Sequence, residues 1–218
     1  MKILCVAYRD WALSIYDKLN KESNCELFIV RNRKEYSKVV IDKFQPDLIL
    51  FYGWSWKVET SIIKKYKCIM LHPSPLPKYR GGSPIQNQII NGEKVSAVTL
   101  FLMDGNMDSG PILAQNILSL EGSLKTIFED IVKVGLRLTL DIINNGMDLK
   151  IQNEEDATVF KRRTPEDSEI TIEEIKNKPA DYLYNKVRML DYPYPNAFIR
   201  TSDGLKLLIK KVEISNNN

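Results

Sequence analysis

Three short apolar, β-branched-rich runs, residues 2–7, 25–30 and 47–52, are each followed by a segment of helical periodicity, and this alternation constrains the fold more than any other feature. Strands separated by helices cannot pair as tight hairpins. The helices must cross over, which makes neighbouring strands parallel and covers the sheet on both faces. The expected architecture is therefore an α/β, Rossmann-like, mostly parallel sheet. Trp11, Ile15 and Leu19 share one face of the first helix, and Tyr36, Val39, Val40 and Phe44 line the second before Pro46 stops it. Open sheets of this kind bind ligands beyond the carboxyl ends of their strands. Three loops should meet there: Tyr8-Arg9-Asp10, Gly53-Trp54-Ser55-Trp56 and His72-Pro73-Ser74.

Several common chemistries are absent from the pattern. The turn after the first run, Ala7-Tyr8-Arg9-Asp10-Trp11-Ala12, has no glycine, so it lacks the fingerprint that brings a dinucleotide pyrophosphate onto a helix N-terminus. No phosphate-binding lysine loop, paired-cysteine zinc spacing or H-x-x-x-H pair occurs, and no metal is expected. Cys5, Cys25 and Cys68 are odd in number and lie in apolar segments, which suits buried thiols in a reducing compartment. A net charge of +3 is far from the concentrated basic patches of nucleic-acid binders, so no nucleic-acid partner is expected. The first apolar run is too short for a secretory signal and no segment reaches membrane-spanning length. A cytoplasmic protein with no membrane partner is the expectation.

Farther along, Ser83-Pro84 should open a short helix that ends near Asn91-Gly92. Strands over 95–103 and 111–118 should flank the polar loop 104–110, and a long helix over 123–145 should present Leu124, Ile127, Phe128, Ile131, Val134, Leu138 and Ile142 on one face. Residues 1–156 read as the main domain. From 157 to 218 the alternation stops, and the pattern fits a small α+β accessory region with a helix near 180–190, a terminal β-hairpin turning at Asp203-Gly204, and a frayed tail over 215–218.

His72 is the only histidine in 218 residues, so imidazole chemistry at neutral pH has one candidate. A lone loop histidine is more often packed or merely exposed, and its neighbours must decide. They do so as a set: H-P-S-x-L-P-K-Y-R-G from His72, P-I-Q at 84–86, I-x-N-G-E at 89–93, and V-T-L-F-x-M-D-G-N-M-D-S-G-P-I-L from 98 to 113. In this order the motifs resemble the folate-dependent formyltransferases. R-R-T-P-E-D at 162–167 and P-Y-P-N-A-F at 193–198 are similar to features of the members that act on nucleotide-linked sugars. The resemblance implies the formyltransferase fold and N10-formyltetrahydrofolate as co-substrate, with an amine as acceptor. It assigns His72 as proton acceptor and Asp108 as the carboxylate that orients it and stabilises the imidazolium. Trp54, Ser55, Trp56, Asp104, Gly105, Asn106 and Met107 match the folate site. Tyr8, Arg9, Pro73, Ser74, Lys78, Tyr79, Arg80, Gly81, Gln86, Arg162 and Arg163 match the neighbourhood of the acceptor.

One position departs from the family. Its asparagine, two residues before the histidine, is Met70 here, and a thioether donates no hydrogen bond to a developing oxyanion. Losing one such donor costs about 2.7–4 kcal/mol. Protonated His72, an ordered water, a backbone N–H, or the amide of Gln86 or Asn87 could replace it. The expected activity is transfer of the formyl group to a UDP- or dTDP-linked amino deoxysugar for surface glycans. The alternatives are a formyltetrahydrofolate hydrolase of the same fold and a weakly active or inactive ligand-binding relative. A methionyl-tRNA formyltransferase would be expected to carry a larger C-terminal domain. A homodimer through the hairpin stays open.

Overall fold

The computed structural model describes residues 1–215, and 216–218, within the expected tail, lie outside the described residues. The alternation is realised as β1 (Lys2–Val6), α1 (Asp10–Glu22), β2 (Glu26–Val30), α2 (Lys38–Phe44), β3 (Leu48–Tyr52), α3 (Thr60–Lys65) and β4 (Lys67–His72). The short β5 (Arg80–Gly81) and α4 (Pro84–Ile90) precede the hairpin of β6 (Val95–Leu102) and β7 (Ile112–Ser119), and α5 (Leu124–Asn145) follows. The chain continues through β8 (Val159–Phe160), α6 (Ile172–Asn177) and α7 (Ala180–Arg188) to the hairpin of β9 (Ala197–Arg200) and β10 (Lys206–Ile209). The six-stranded main sheet runs β2-β1-β3-β4-β6-β7, with β2 to β4 parallel and the last two pairings antiparallel.

The strand patterns explain this order. All five residues of β3 are buried, as a central strand covered on both faces requires. Ile3, Cys5, Leu48 and Leu50 pack under α1 and α5, whereas Leu4, Val6, Ile49 and Phe51 pack on the opposite side with Ile41 of α2 and Ile62 of α3. Such alternation follows from the two-residue repeat of a strand. The chain leaves β1 toward β2 on one side and reaches β3 on the other. The switch point therefore lies between the carboxyl ends of β1 and β3.

Two helix starts differ from the sequence expectation. Ser37 caps α2 by accepting from the Val40 N–H, so Tyr36 falls before the helix and Val39 turns to solvent, while Ile41 makes the buried contact. Ser83 does sit before α4, but in a left-handed conformation with no side-chain cap; its hydroxyl accepts from the Arg163 N–H instead. That bond ties the segment after β8 to the mouth of the sheet. Ile170, Val187, Met189, Leu190 and Ala197, all beyond residue 156, share one apolar cluster with α1 and α5. All three cysteines are free thiols, and burial pushes the Cys68 thiol up to about 12.

Candidate active site

β4 delivers the lone histidine. Met70 and His72, two residues apart, project from one face of the strand, and the Pro-containing turn beyond His72 ends it at the carboxyl end of the sheet. His72 is 5% exposed. Its Nε2 lies 2.8 Å from the Tyr79 carbonyl oxygen. A carbonyl only accepts, so Nε2 carries the proton and the neutral ring keeps its lone pair on Nδ1. That atom faces Asp108, 3.6 Å from Oδ2. Protonation of Nδ1 would convert this contact into an ion pair. The Tyr79 carbonyl, and not Asp108, sets the ring's orientation, a difference from the sequence expectation.

Asp108 occupies the left-handed region, with φ of 51°. Its Oδ2 accepts from the Gly81 N–H at 2.8 Å, and its own carbonyl accepts from Gln152 Nε2 at 3.0 Å. Segment 79–81 thus touches both members of the pair, through the Tyr79 carbonyl and the Gly81 amide. β5 is clamped in turn by β8: a Cβ on Gly81, at φ of 94°, would lie 2.3 Å from the Phe160 carbonyl oxygen. Only glycine fits there.

A cleft of about 1150 Å³ opens beside the pair. Of the residues expected at the folate and acceptor sites, Arg9, Trp54, Ser55, Trp56, Pro73, Gly81, Gln86, Gly105, Asn106, Met107, Arg162 and Arg163 line it, together with Met70, His72 and Asp108. Met70 packs among apolar side chains, beside Phe101 across the strand pair. The rest of that wall is Trp54, Trp56, Val58, Ile63 and Met103.

Six expected residues do not line the cleft. Tyr8 lies behind Trp54 and Trp56, edge-on to both rings, with its hydroxyl 2.6 Å from Ser55 Oγ. Ser74 is fully buried and donates to the Lys78 carbonyl, while the Lys78 side chain is exposed away from the cleft. Tyr79 stacks on Phe160 and donates to Glu93, and burial pushes its phenol up. Arg80 is buried and bonded to Gln152 and Glu154. Asp104 and Arg80 instead border a separate cavity of about 390 Å³.

Other lining residues escaped the motif reading. Trp11 and Phe128 were legible only as apolar helix positions, yet they stack with ring centroids 6.2 Å apart at the cleft, and Phe128 meets Tyr194. Arg9 lies over the Tyr194 ring, whose hydroxyl is pushed up by burial. Lys161 and Arg162 have no side-chain hydrogen-bond or ion-pair partner among the described residues, and Arg163 donates to the Asp167 backbone carbonyl and not to a carboxylate. Gln86 is 2% exposed. Its amide lies beside the Tyr194 hydroxyl, but neither amide atom closes a hydrogen bond, and Trp54 Nε1 is likewise buried without a partner. No group of three or more metal-ligating side chains occurs among the described residues.

A histidine and a carboxylate thus face each other at the open end of an α/β sheet, beside a large cleft. The sequence comparison makes the class specific: residues 14–126 match the formyl transferase model. The chain belongs to the formyl transferase family. It is 33% identical over 178 residues to a methionyl-tRNA formyltransferase of Nitratiruptor sp., an alignment covering 79% of this chain and 56% of that protein. The chain spans about half the length of the curated relatives it matches. A solved structure described as methionyl-tRNA formyltransferase from Clostridium thermocellum superposes with a TM-score of 0.90 at 30% identity, covering 100% of this chain and 95% of that one. A 4-N formyltransferase from Francisella tularensis shares the fold, with a TM-score of 0.78 at 18% identity and coverage of 99% and 98%. Methionyl-tRNA formyltransferases thus stand among the sequence relatives, while sugar N-formyltransferases stand among the solved structures that share the fold.

Proposed function

We propose that this chain transfers the formyl group of N10-formyltetrahydrofolate to the amine of a nucleotide-linked amino deoxysugar. The observation that carries the reaction is the His72 ring, with Nε2–H committed to the Tyr79 carbonyl and Nδ1 free beside Asp108. The amine nitrogen attacks the formyl carbon, a C–N bond forms, and the carbonyl oxygen takes up negative charge. His72 Nδ1 removes the proton that the attacking nitrogen must lose, and Asp108 stabilises the imidazolium. Collapse breaks the bond to N10, which recovers the proton as tetrahydrofolate leaves. The wall of Trp54, Trp56, Met70 and Met103 suits the faces of the pterin ring, whose edge is polar.

With Met70 unable to donate, the developing oxyanion needs another partner. Asn87 is committed to the Gly82 carbonyl and Gln88 to those of Pro73 and Pro84. His72 Nε2 is engaged as well. Of the two amides considered from sequence, Asn87 is committed and Gln86 lines the cleft with only the Tyr194 hydroxyl beside it, and we assign Gln86 the donor role.

The sugar assignment rests on the opposite wall. Arg9, Lys161 and Arg162 offer uncompensated charge for a diphosphate, and Trp11, Phe128 and Tyr194 offer aromatic faces for a base. An aminoacylated tRNA also carries phosphates and bases at its reactive end, and the sequence relatives favour that second reading. Incubation with formyl donor and either a panel of UDP- and dTDP-amino sugars or methionyl-tRNA decides between them by mass spectrometry. The expected result is one added formyl group on one sugar, abolished in His72→Gln. Formylated methionyl-tRNA with no formylated sugar would reverse the acceptor assignment, and free formate alone would identify a hydrolase.

A further inference from the structure

Arg80 matched the acceptor neighbourhood in sequence, but its chemistry is spent inside the protein. It is 5% exposed; Nε and Nη2 donate to Gln152 Oε1 at 3.1 and 2.8 Å, and Nη1 and Nη2 donate to the Glu154 carboxylate at 2.8 and 2.7 Å. Four bonds from one guanidinium leave almost no capacity for a ligand. Glu154 is held below the usual carboxylate range by the Arg80 bond, and Arg80 is raised by the same contact.

Gln152, also 5% exposed, is the next link. Its oxygen faces the guanidinium, so its nitrogen must face the other way, where it donates to the carbonyls of Asp108 at 3.0 Å and Gly110 at 2.7 Å. Rotating the amide would set NH₂ against the guanidinium and oxygen against two carbonyls. Arg80 therefore fixes which end of Gln152 meets the loop. Asp108 gains from such support, because its φ of 51° lies in the left-handed region, which aspartate enters more readily than most side chains but still at some cost. Gly110, two residues on, packs so tightly that a Cβ would lie 1.8 Å from the Leu102 carbonyl oxygen.

We propose that Arg80 and Gln152 form a positioning unit that holds Asp108 against His72 Nδ1, with Arg80 as an internal bolt and not a substrate ligand. Neither residue touches the reacting atoms. The unit acts by fixing the backbone from which the Asp108 carboxylate projects, while the Tyr79 carbonyl and the Gly81 amide flanking Arg80 hold the other two corners. The consequence for the reaction rests on the proposed formyl transfer, whereas the positioning itself does not.

The test uses the single histidine, whose imidazole nitrogens give an unambiguous ¹⁵N spectrum in the full chain. Asp108→Asn supplies the reference displacement of the Nδ1 resonance. Gln152→Glu keeps a partner for Arg80 but presents oxygen to the two carbonyls, and it should move Nδ1 most of the way toward that reference. Where formyl transfer is measurable, kcat should fall about 10²-fold, as expected for a misplaced group, with KM for both substrates within twofold. Arg80→Lys, which retains the charge but not the fork, should move the resonance in the same direction and leave acceptor KM unchanged. Lys186→Met removes a buried ion pair elsewhere and serves as a destabilised control that leaves the imidazole spectrum alone. An unaltered Nδ1 resonance in folded Gln152→Glu or Arg80→Lys, or a raised acceptor KM in Arg80→Lys with kcat intact, overturns the proposal. If no acceptor is formylated by the wild type, the spectrum still decides the positioning while the proposed reaction fails separately.

Discussion

Met70 stands where the resembled family carries an asparagine, so the proposed formyl transfer needs a hydrogen-bond donor from outside the strand. Met70 packs beside Phe101 and Met103 in an apolar wall that offers no hydrogen-bond donor. Gln86, buried beside the Tyr194 hydroxyl, is the donor we propose in its place. We expect Gln86→Leu to lower kcat by about 10²–10³-fold, the usual consequence of losing one oxyanion donor. Met70→Asn alone should change the rate little but recover much of the loss when combined with Gln86→Leu. Steady-state kinetics of the four proteins checks the assignment; strict additivity of the two changes would argue against it. From the residues alone, His72, Asp108 and the anomaly at Met70 were legible, because each falls inside a motif. Gln152 was not, since a glutamine between Ile151 and Asn153 has no local signal and acquires its role only across the fold.

Among the elements, the two-residue strand β5 has the greatest effect for its size. Its pairing with β8 places Gly81 against the Phe160 carbonyl, at a backbone angle that side chains resist. Gly81→Ala should cost about 1–3 kcal/mol through strain and also reduce activity, because the same residue's N–H holds Asp108. Urea unfolding together with the formylation rate measures both; loss of stability with full activity would separate β5 from the site. The helical pair α6 and α7 makes a different prediction. Burial by itself would raise the Glu174 carboxyl, but Lys186 and the Thr171 N–H outweigh it, and the net direction is down from 4.5. A depressed carboxylate contributes stability in full above that ordinary value and loses it as pH falls through the folded value. Unfolding midpoints should therefore drop more steeply below pH 4.5 in the wild type than in Glu174→Gln, as thermal melts across that range would show. The long elements were readable from their period; the register of β5 on β8 was not, because two residues carry no periodicity.

For the whole molecule, the cleft joins two differently built walls. One comes from the parallel sheet and is apolar; the other gathers Arg9 from the β1 turn with Lys161 and Arg162 from the segment after β8. If the cationic wall receives a phosphorylated acceptor, Arg162→Ala should raise the acceptor's KM about tenfold, the size of one lost charge-assisted contact, while folate KM and kcat stay near wild type. A matching rise in folate KM would place the cation on the wrong substrate. Periodicity in the sequence by itself determined the alternating sheet, and the motifs' resemblance singled out His72 and Asp108, which the fold brings to 3.6 Å at the sheet's carboxyl end. Those features depend on neighbours within a few residues, or on motifs that keep their order along the chain. Tertiary structure alone decided that Arg80 faces inward, that Tyr79 orients the imidazole through its backbone, and that Trp11, Phe128 and Tyr194 share one surface. The inward turn of Arg80 and the shared aromatic surface depend on contacts between segments far apart in sequence, and the Tyr79 carbonyl, seven residues from His72, is turned onto the ring by a loop that has no periodicity to read.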